Sequence, residues 1–380
     1  MADHSGGQLL VVDDNGVNRM VLGRYLQQLG HTVAYAENGR QALEMLHGQP
    51  FEMVLLDIEM PEMNGYQVLE HVSSDSGLRD IPIIVTSALD EMSSVVKCIQ
   101  MGAEDYLTKP VDQVLLKARV EASLEKKRLR DAQRDLLRKM EAELDFAREI
   151  QRSILPGELP RRNGCDFGAL MVPARAVGGD FYAFIELDEN RVGIAVGDVS
   201  DKGVPAALFM ALTFSLINTE ARRSPSPRDV LSTVNQYLLS MNESGMFVTV
   251  LYGILDRLTR EFWYARAGHD RPIVLAIDGQ PLELAVEPGQ VLGVLPAPDL
   301  DEERIHLPAG GTLLMFTDGV TEAMDAGGQL FGRDRLRTVL RANRKAGAQS
   351  ICSEIWRAVK IFSGDQPAHD DVTLVAVKLE

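Results

Sequence analysis

With 380 residues the chain exceeds what one hydrophobic core ordinarily supports, so at least two domains are expected. At 45% hydrophobic and 25% charged residues, with no apolar run near the roughly 20 residues a bilayer span needs and no secretion signal in MADHSGGQLLVVDD, it reads as soluble, globular and cytoplasmic. A formal charge of −16 disfavours direct nucleic-acid or membrane binding, and Cys98, Cys165 and Cys352 are too scattered for disulfides or a thiolate zinc site and read as packing residues.

Residues 8–110 alternate Val/Ile/Leu-rich runs (QLLVVDD, VAYAENG, FEMVLLDIEMP, DIPIIVTSA, EDYLTKP) with amphipathic stretches at 18–29, 40–47, 66–72 and 94–101. That alternation predicts βαβ units, hence a parallel sheet covered on both faces, with a site at the carboxyl ends of its strands. Asp13, Asp14, Asp57, Ser87 and Lys109 all fall at such ends. Taken singly, each is a cap or a surface residue; together they form a pocket. Clustered carboxylates repel one another unless a hard divalent cation takes their oxygens, so a magnesium-like ion is implied. Asp57 is then placed to attack a phosphoryl group, with the ion and the Lys109 ammonium neutralising phosphoryl oxygens and the Ser87 hydroxyl donating to one.

On VVDDN, LLDIEMPEMNG, Ser87 followed by alanine, and YLTKP, residues 7–125 resemble a response-regulator receiver domain. The resemblance implies a doubly wound, flavodoxin-like sheet. It implies that Asp57 accepts a phosphoryl group from a sensor histidine kinase or phosphotransfer protein and that Asp13, Asp14 and Asp57 hold Mg2+. Ser87 and Tyr106 would relay the change to the face of the last strand and helix.

From about 111 to 154 there is neither glycine nor a proline, and the stretch reads as one long helix. Leu129, Leu136, Met140, Leu144, Ala147, Ile150 and Ile154 recur at three-, four- or seven-residue intervals among charged residues, a seam suited to pairing two copies of the chain; a solvated linker helix is the alternative. The basic KKRLR at 126–130 has acidic neighbours on the same helix and reads as a solvated face.

Residues 156–380 contain strand-like runs (RVGIAVGD, MFVTVLYGILD, REFWYARAG, TLLMFTDG, DVTLVAVKL) and helical stretches at 203–222, 227–242, 333–345 and 348–362. Strands following strands, with helices in two blocks, predict antiparallel sheets packed with helix pairs. Phe262, Trp263 and Tyr264, with Met241 and Met246, read as core and not as a ligand pocket. Aspartates recur beside glycine or a second aspartate near strand ends: Asp180 in VGGDFY, Asp198 in VGDVSDKG, Asp318 in FTDGVTEA, and Asp370 and Asp371 in HDDVTLVAV. Any one such dipeptide marks a turn, but four in one region, with oxygen ligands only, suit magnesium or manganese. Metal-assisted hydrolysis of a phosphate ester is the chemistry they support, since HExxH, GxSxG and P-loop signals are absent.

From about residue 141 onward, AREIQRSILP, VGGDFY, GDVSDKGVPAALFM, YARAGHDRP, FTDGVTEA and HDDVTLVAV resemble the metal-dependent serine/threonine protein phosphatases of the PPM family, in the bacterial branch typified by stage II sporulation protein E. The resemblance implies an α-β-β-α sandwich holding two Mn2+ or Mg2+ ions. Asp198 would bridge them, the Val199 carbonyl would add a ligand, Asp318 and Asp370 would complete one shell, and Asp180 would hold the attacking water. The substrate would be a phosphorylated anti-sigma factor antagonist. Asp201 departs from the glycine frequent in this motif, and a tight turn with positive φ would admit it less easily. His269 has two open readings, orienting phosphate or a partner, or supporting the fold.

The domains expected are thus a receiver at 1–125, a coiled-coil linker at 126–155 that makes a homodimer, and a phosphatase at 156–380, with receiver phosphorylation controlling the phosphatase through the linker. The rival reading is a non-catalytic module that holds a sigma factor on a phosphatase-like fold.

Overall fold

The computed structural model describes residues 6–88, 92–160, 164–243, 245–284 and 289–379; the first five residues of the stretch read for a secretion signal lie outside them. The chain divides into two compact units, Met1–Met140 and Glu141–Glu380.

The first unit runs β1 (Gln8–Val12), α1 (Gly16–Gln28), β2 (Thr32–Ala36), α2 (Gly39–Gly48), β3 (Met53–Asp57), α3 (Gly65–Ser74), β4 (Ile83–Ser87), α4 (Met92–Gln100), β5 (Asp105–Thr108) and the part of α5 (Gln113–Ile154) up to Met140. Its strands are parallel in the order β2-β1-β3-β4-β5. Both faces are covered, which is why the central strands read as unbroken apolar runs: Leu10, Val12, Val54 and Leu56 pack to one side, Leu9, Val11, Met53 and Leu55 to the other. The turns are set by polar caps. Asn15 accepts from the amides of Val17 and Asn18, Asn64 forms a reciprocal capping box with Gln67, and Asp112 accepts from the amides of Val114 and Leu115 to start α5.

Helix α5 is a single element of 42 residues. Leu116, Val120 and Leu124 bury one of its faces in the first unit's core. Further on, Leu129, Leu136, Met140, Leu144 and Ile150 of the expected seam are exposed in the single chain. The KKRLR stretch lies on the solvated side, with Lys126 and Arg130 paired to Glu104 and Lys127 to Asp131.

The second unit continues β6 (Cys165–Val172), β7 (Phe181–Glu186), β8 (Arg191–Val199), α6 (Val204–Glu220), α7 (Pro227–Met241), β9 (Val248–Asp256), β10 (Glu261–Ala267), β11 (Ile273–Leu275), β12 (Asp301–His306), β13 (Thr312–Phe316), α8 (Asp318–Thr321), α9 (Gly332–Ala342), α10 (Ala348–Ser363) and β14 (Val372–Leu379). Two antiparallel sheets, β12-β10-β9-β8-β7 and β11-β13-β14-β6, face each other across Phe167, Ile194, Leu251, Phe262, Met315 and Val375. Helices α6 and α7 cover the outer face of the first sheet through Met210, Ile217, Val234 and Leu238, and α9 and α10 cover the second through Leu336, Leu340, Ile351 and Ile355. The result is a four-layer α-β-β-α sandwich.

The sequence patterns singled out β8, β9, β10, β13 and β14. They passed over β6, β7, β11 and β12; of these, β11 has three residues and β12 (DEERIH) offers one aliphatic side chain to the core. Phe262 and Tyr264 are core, whereas Trp263 faces outward under the Arg304 guanidinium at 4.1 Å. All three cysteines are buried. Among the described residues no helix is long and apolar enough to cross a membrane.

Candidate functional site

In the first unit, pairing of Val12 with Leu56 sets Asp13 beside Asp57, and pairing of Asp57 with Thr86 brings in the end of β4. Lys109, just beyond β5, places Nζ 2.8 Å from Asp13 Oδ2 and 2.6 Å from Asp57 Oδ2. One carboxylate oxygen from each of Asp13, Asp14 and Asp57 lies within 4.8 Å of the others. Asp13 and Asp57 are buried and Asp14 is exposed, so the pocket opens on the Asp14 side. Burial pushes the Asp57 carboxyl upward, with the Asp13 charge adding, while Lys109 pulls it down. Burial also works against the Lys109 ammonium, but its two carboxylate partners win and hold it above its ordinary range. Gly65 is required by space: a Cβ there would stand 2.4 Å from the Asp57 carbonyl oxygen. Ser87 is buried and its carbonyl accepts from the Lys109 amide at 2.8 Å. Tyr106 is half-buried on β5, in register with Val85.

In the second unit the aspartates gather at one end of the two sheets. Asp198 and Val199 end β8 of one sheet; Asp318 follows β13 and Asp370 precedes β14 of the other; Asp180 leads into β7. Burial lifts Asp198 to about 7, with Asp318 and Asp370 adding to the shift. Burial likewise lifts Asp318 to about 6, helped by Glu322, Asp370 and Asp270. Asp180 is pushed well above the carboxylate range by burial and by its neighbours Asp198 and Asp371. Its Oδ2 accepts from the Thr317 hydroxyl at 2.7 Å, and Thr317 in turn accepts from the Thr373 amide.

The set is looser than the receiver's. Among the described residues only Asp13, Asp14 and Asp57 bring three carboxylate oxygens within 4.8 Å of one another. Asp370 pairs with Lys202 Nζ at 3.0 Å, while Asp198 and Asp180 share a side-chain hydrogen bond.

Three further roles emerge. Asp371 is an anchor: its carboxylate accepts from the amides of Ala174 and Gly179, both at 2.7 Å, holding the VGGD loop. Asp201 has φ +66° and is an exposed turn residue. His269 is buried, with Nδ1 2.8 Å from the Thr249 hydroxyl and Nε2 3.1 Å from the Phe316 carbonyl. Nε2 therefore carries the proton, and burial lowers the ring to about 4. The tandem aspartates of HDDV were the sequence signal for Asp371; Thr317 and Gln151 lie inside the quoted motifs FTDGVTEA and AREIQRSILP, but nothing in those motifs marked their roles. Gln151, buried near the end of α5, donates from Nε2 to the Gly178 carbonyl at 2.6 Å and accepts from the Gly178 amide at 3.1 Å.

Both donor sets fit a hard divalent cation. They are oxygen-only, and several of their carboxyls are held where an uncompensated negative charge is costly. Beside the second set lies a cleft of about 530 Å³ lined by Asp198, Asp318, Glu322, Asp270, Thr249 and Arg333, among others.

A parallel sheet with a lysine-bound acidic pocket, followed by an α-β-β-α sandwich with aspartates at one end of both sheets, defines a receiver domain joined to a phosphatase domain of PP2C type. The chain belongs to the Stage II sporulation protein E (SpoIIE) family, whose model matches residues 188–380, and the response regulator receiver domain model matches residues 9–121. It is 28% identical over 245 residues to the phosphoserine phosphatase RsbU of Bacillus subtilis (strain 168), covering 64% of this chain and 72% of that protein. It is 29% identical over 286 residues to the Regulator of RpoS of Escherichia coli (strain K12), covering 69% of this chain and 82% of that one. The solved SiaA-PP2C domain of Pseudomonas aeruginosa superposes with a TM-score of 0.53 at 25% identity, covering 64% of this chain and 99% of that domain.

Proposed function

We propose that this protein is a two-component response regulator in which phosphorylation of Asp57 controls a metal-dependent phosphoserine/phosphothreonine protein phosphatase. A sensor histidine kinase or phosphotransfer protein supplies the phosphoryl group, and the substrate is a phosphorylated anti-sigma factor antagonist in a partner-switching pathway. The observation that carries this reading is the set Asp180, Asp198, Asp318 and Asp370, with the Val199 carbonyl, at one end of the two sheets, where Asp198 and Asp318 line an acidic cleft. A module that only held a sigma factor would have no use for the carboxyls of Asp180, Asp198 and Asp318 raised by burial and by neighbouring carboxylates.

In the receiver, Asp13, Asp14 and Asp57 would hold Mg2+. In the phosphatase, Asp180, Asp198, Val199, Asp318 and Asp370 would hold Mn2+ or Mg2+, which when bound supplies charge neutralisation for an in-line displacement by water. The chain's own residues fix the geometry. Thr317 orients Asp180, Asp371 secures the loop that carries it, and His269 ties the start of the AGHDRP turn to the end of β13. The linker seam pairs two copies, and the Gln151–Gly178 contact conveys the pairing state of α5 to the VGGD loop.

Turnover of a phosphoserine protein is measured in Mn2+ for wild type, Asp198→Ala and Asp57→Asn, each with and without acetyl phosphate. We expect turnover in wild type that depends on acetyl phosphate, none in Asp198→Ala, and no response in Asp57→Asn. The similarity to the Regulator of RpoS favours the non-catalytic module that holds a sigma factor as second reading; absence of turnover in every form would select it.

A further inference from the structure

A phosphoserine side chain brings a dianion to a cleft whose wall already holds Asp198, Asp318, Asp270 and Glu322. Two guanidinium groups line that cleft among the described residues, Arg266 and Arg333. Arg266 is buried and committed: Nε and one terminal nitrogen donate to Asp301 Oδ2, and the other donates to the His269 carbonyl at 2.8 Å.

Arg333 is placed differently. It is the second residue of α9, and its side chain is 30% exposed. One terminal nitrogen donates to Asp270 Oδ1 at 2.8 Å and the other to the Arg271 carbonyl at 2.9 Å, which engages two of the five N–H groups. The guanidinium also stands 5.2 Å from the centre of the Phe316 ring, and its two hydrogen bonds hold it in place before any ligand arrives. Burial makes the charge costly, and Arg271, Arg337 and Arg266 add to that cost, with Asp270 opposing them. Asp270 also contributes to raising Asp318, so the carboxylate face and the guanidinium share a neighbour.

We propose that Arg333 is a substrate-binding residue that takes the phosphoryl oxygens of the phosphoserine or phosphothreonine, in the cleft that Asp198 and Asp318 also line. A planar fork held on one edge offers its remaining N–H groups to two oxygens of one phosphate, a match a lysine makes only as a point charge. The inference rests on the phosphatase reading for its substrate, but its phosphate-binding content is tested separately.

Inorganic phosphate is titrated calorimetrically into the full chain in Mn2+, for wild type, Arg333→Ala, Arg333→Lys, Asp270→Asn and the Arg333→Ala/Asp270→Asn double variant. In parallel, KM and kcat are measured with a phosphoserine peptide. Arg333→Ala should weaken phosphate binding about 10-fold or more and raise KM by a similar factor with a smaller effect on kcat. Arg333→Lys should recover part of the loss and certifies that the fold tolerates change there. Phosphate affinity equal in wild type and Arg333→Ala, or undetectable in wild type, overturns the proposal. So does a loss that vanishes in the Asp270→Asn background, since Arg333 would then act only by restraining Asp270. A wild type that binds phosphate through Arg333 but turns over no peptide leaves Arg333 in place and removes the phosphatase reading.

Discussion

The side-chain amide of Gln151 pairs with both backbone groups of Gly178, as a neighbouring strand would, at 2.6 and 3.1 Å. One residue further, the Gly179 amide binds Asp371, and Asp180 follows. The end of the long helix is thus hydrogen-bonded to the loop that carries a candidate catalytic aspartate. Gln151→Ala leaves a buried N–H and C=O without partners, at about 1–3 kcal/mol each. We expect at least ~10-fold lower turnover and a higher Mn2+ requirement. A metal titration of activity that superimposes on wild type would refute this coupling.

Lys109 neutralises two buried carboxylates, so Lys109→Ala leaves both exposed to each other's charge. Removing one member of a buried ion pair typically costs about 3–5 kcal/mol. We expect a loss of that order for the receiver unit in EDTA, largely restored by millimolar Mg2+, because a cation replaces the ammonium. Urea melts with and without Mg2+ check it; equal losses in both would argue against a cation site among Asp13, Asp14 and Asp57.

The raised carboxyls of Asp198 and Asp318 give a pH signature. In the metal-free protein the folded state binds more protons than the unfolded one between about pH 4 and pH 7, so their contribution to stability falls as pH rises through that window. His269, lowered to about 4, acts oppositely between pH 4 and its unfolded value near 6.5, so the net slope is clearest above pH 6.5. Protons and divalent cations compete for the carboxylates. The increase in Tm on adding Mn2+ should therefore be larger at pH 8 than at pH 5 and should shrink in Asp198→Ala; a pH-independent increase would contradict it.

The exposed apolar row of α5 predicts self-association. Leu136→Glu with Leu144→Glu should convert a dimer to a monomer in sedimentation experiments while leaving the Tm of the isolated chain nearly unchanged, since both side chains are exposed in the single chain. A wild type that sediments as a monomer at tens of micromolar rules the seam out as a dimer interface.

Asp201 sits at φ +66°, a conformation glycine adopts without penalty. Asp201→Gly should change stability by less than about 1 kcal/mol, whereas Asp201→Val should destabilise by more, because a β-branched side chain is strained there. Thermal melts of the two variants distinguish a turn residue from a ligand: a large loss in both would mean that the carboxylate itself matters.

Much of this protein is legible one segment at a time. Apolar runs ending in Asp57 or in Lys109 announce strands and their functional ends, because a parallel sheet buried on both faces needs unbroken hydrophobic strands and leaves polar residues for the rim. The aspartate–glycine pairs of the second unit are local in the same way, since a glycine next to a carboxylate is visible in the chain itself. What the sequence alone determined was therefore the two folds, the long helix and the candidate ligands. Tertiary structure decided which of those ligands meet and what holds them. Asp371 secures Gly179 across 192 positions, Arg333 reaches Asp270 across 63, and Gln151 meets Gly178 across 27. Hydrogen bonds between residues that far apart leave no periodicity for a reader of the chain, because each depends on a sheet register and a helix packing angle that the whole core sets.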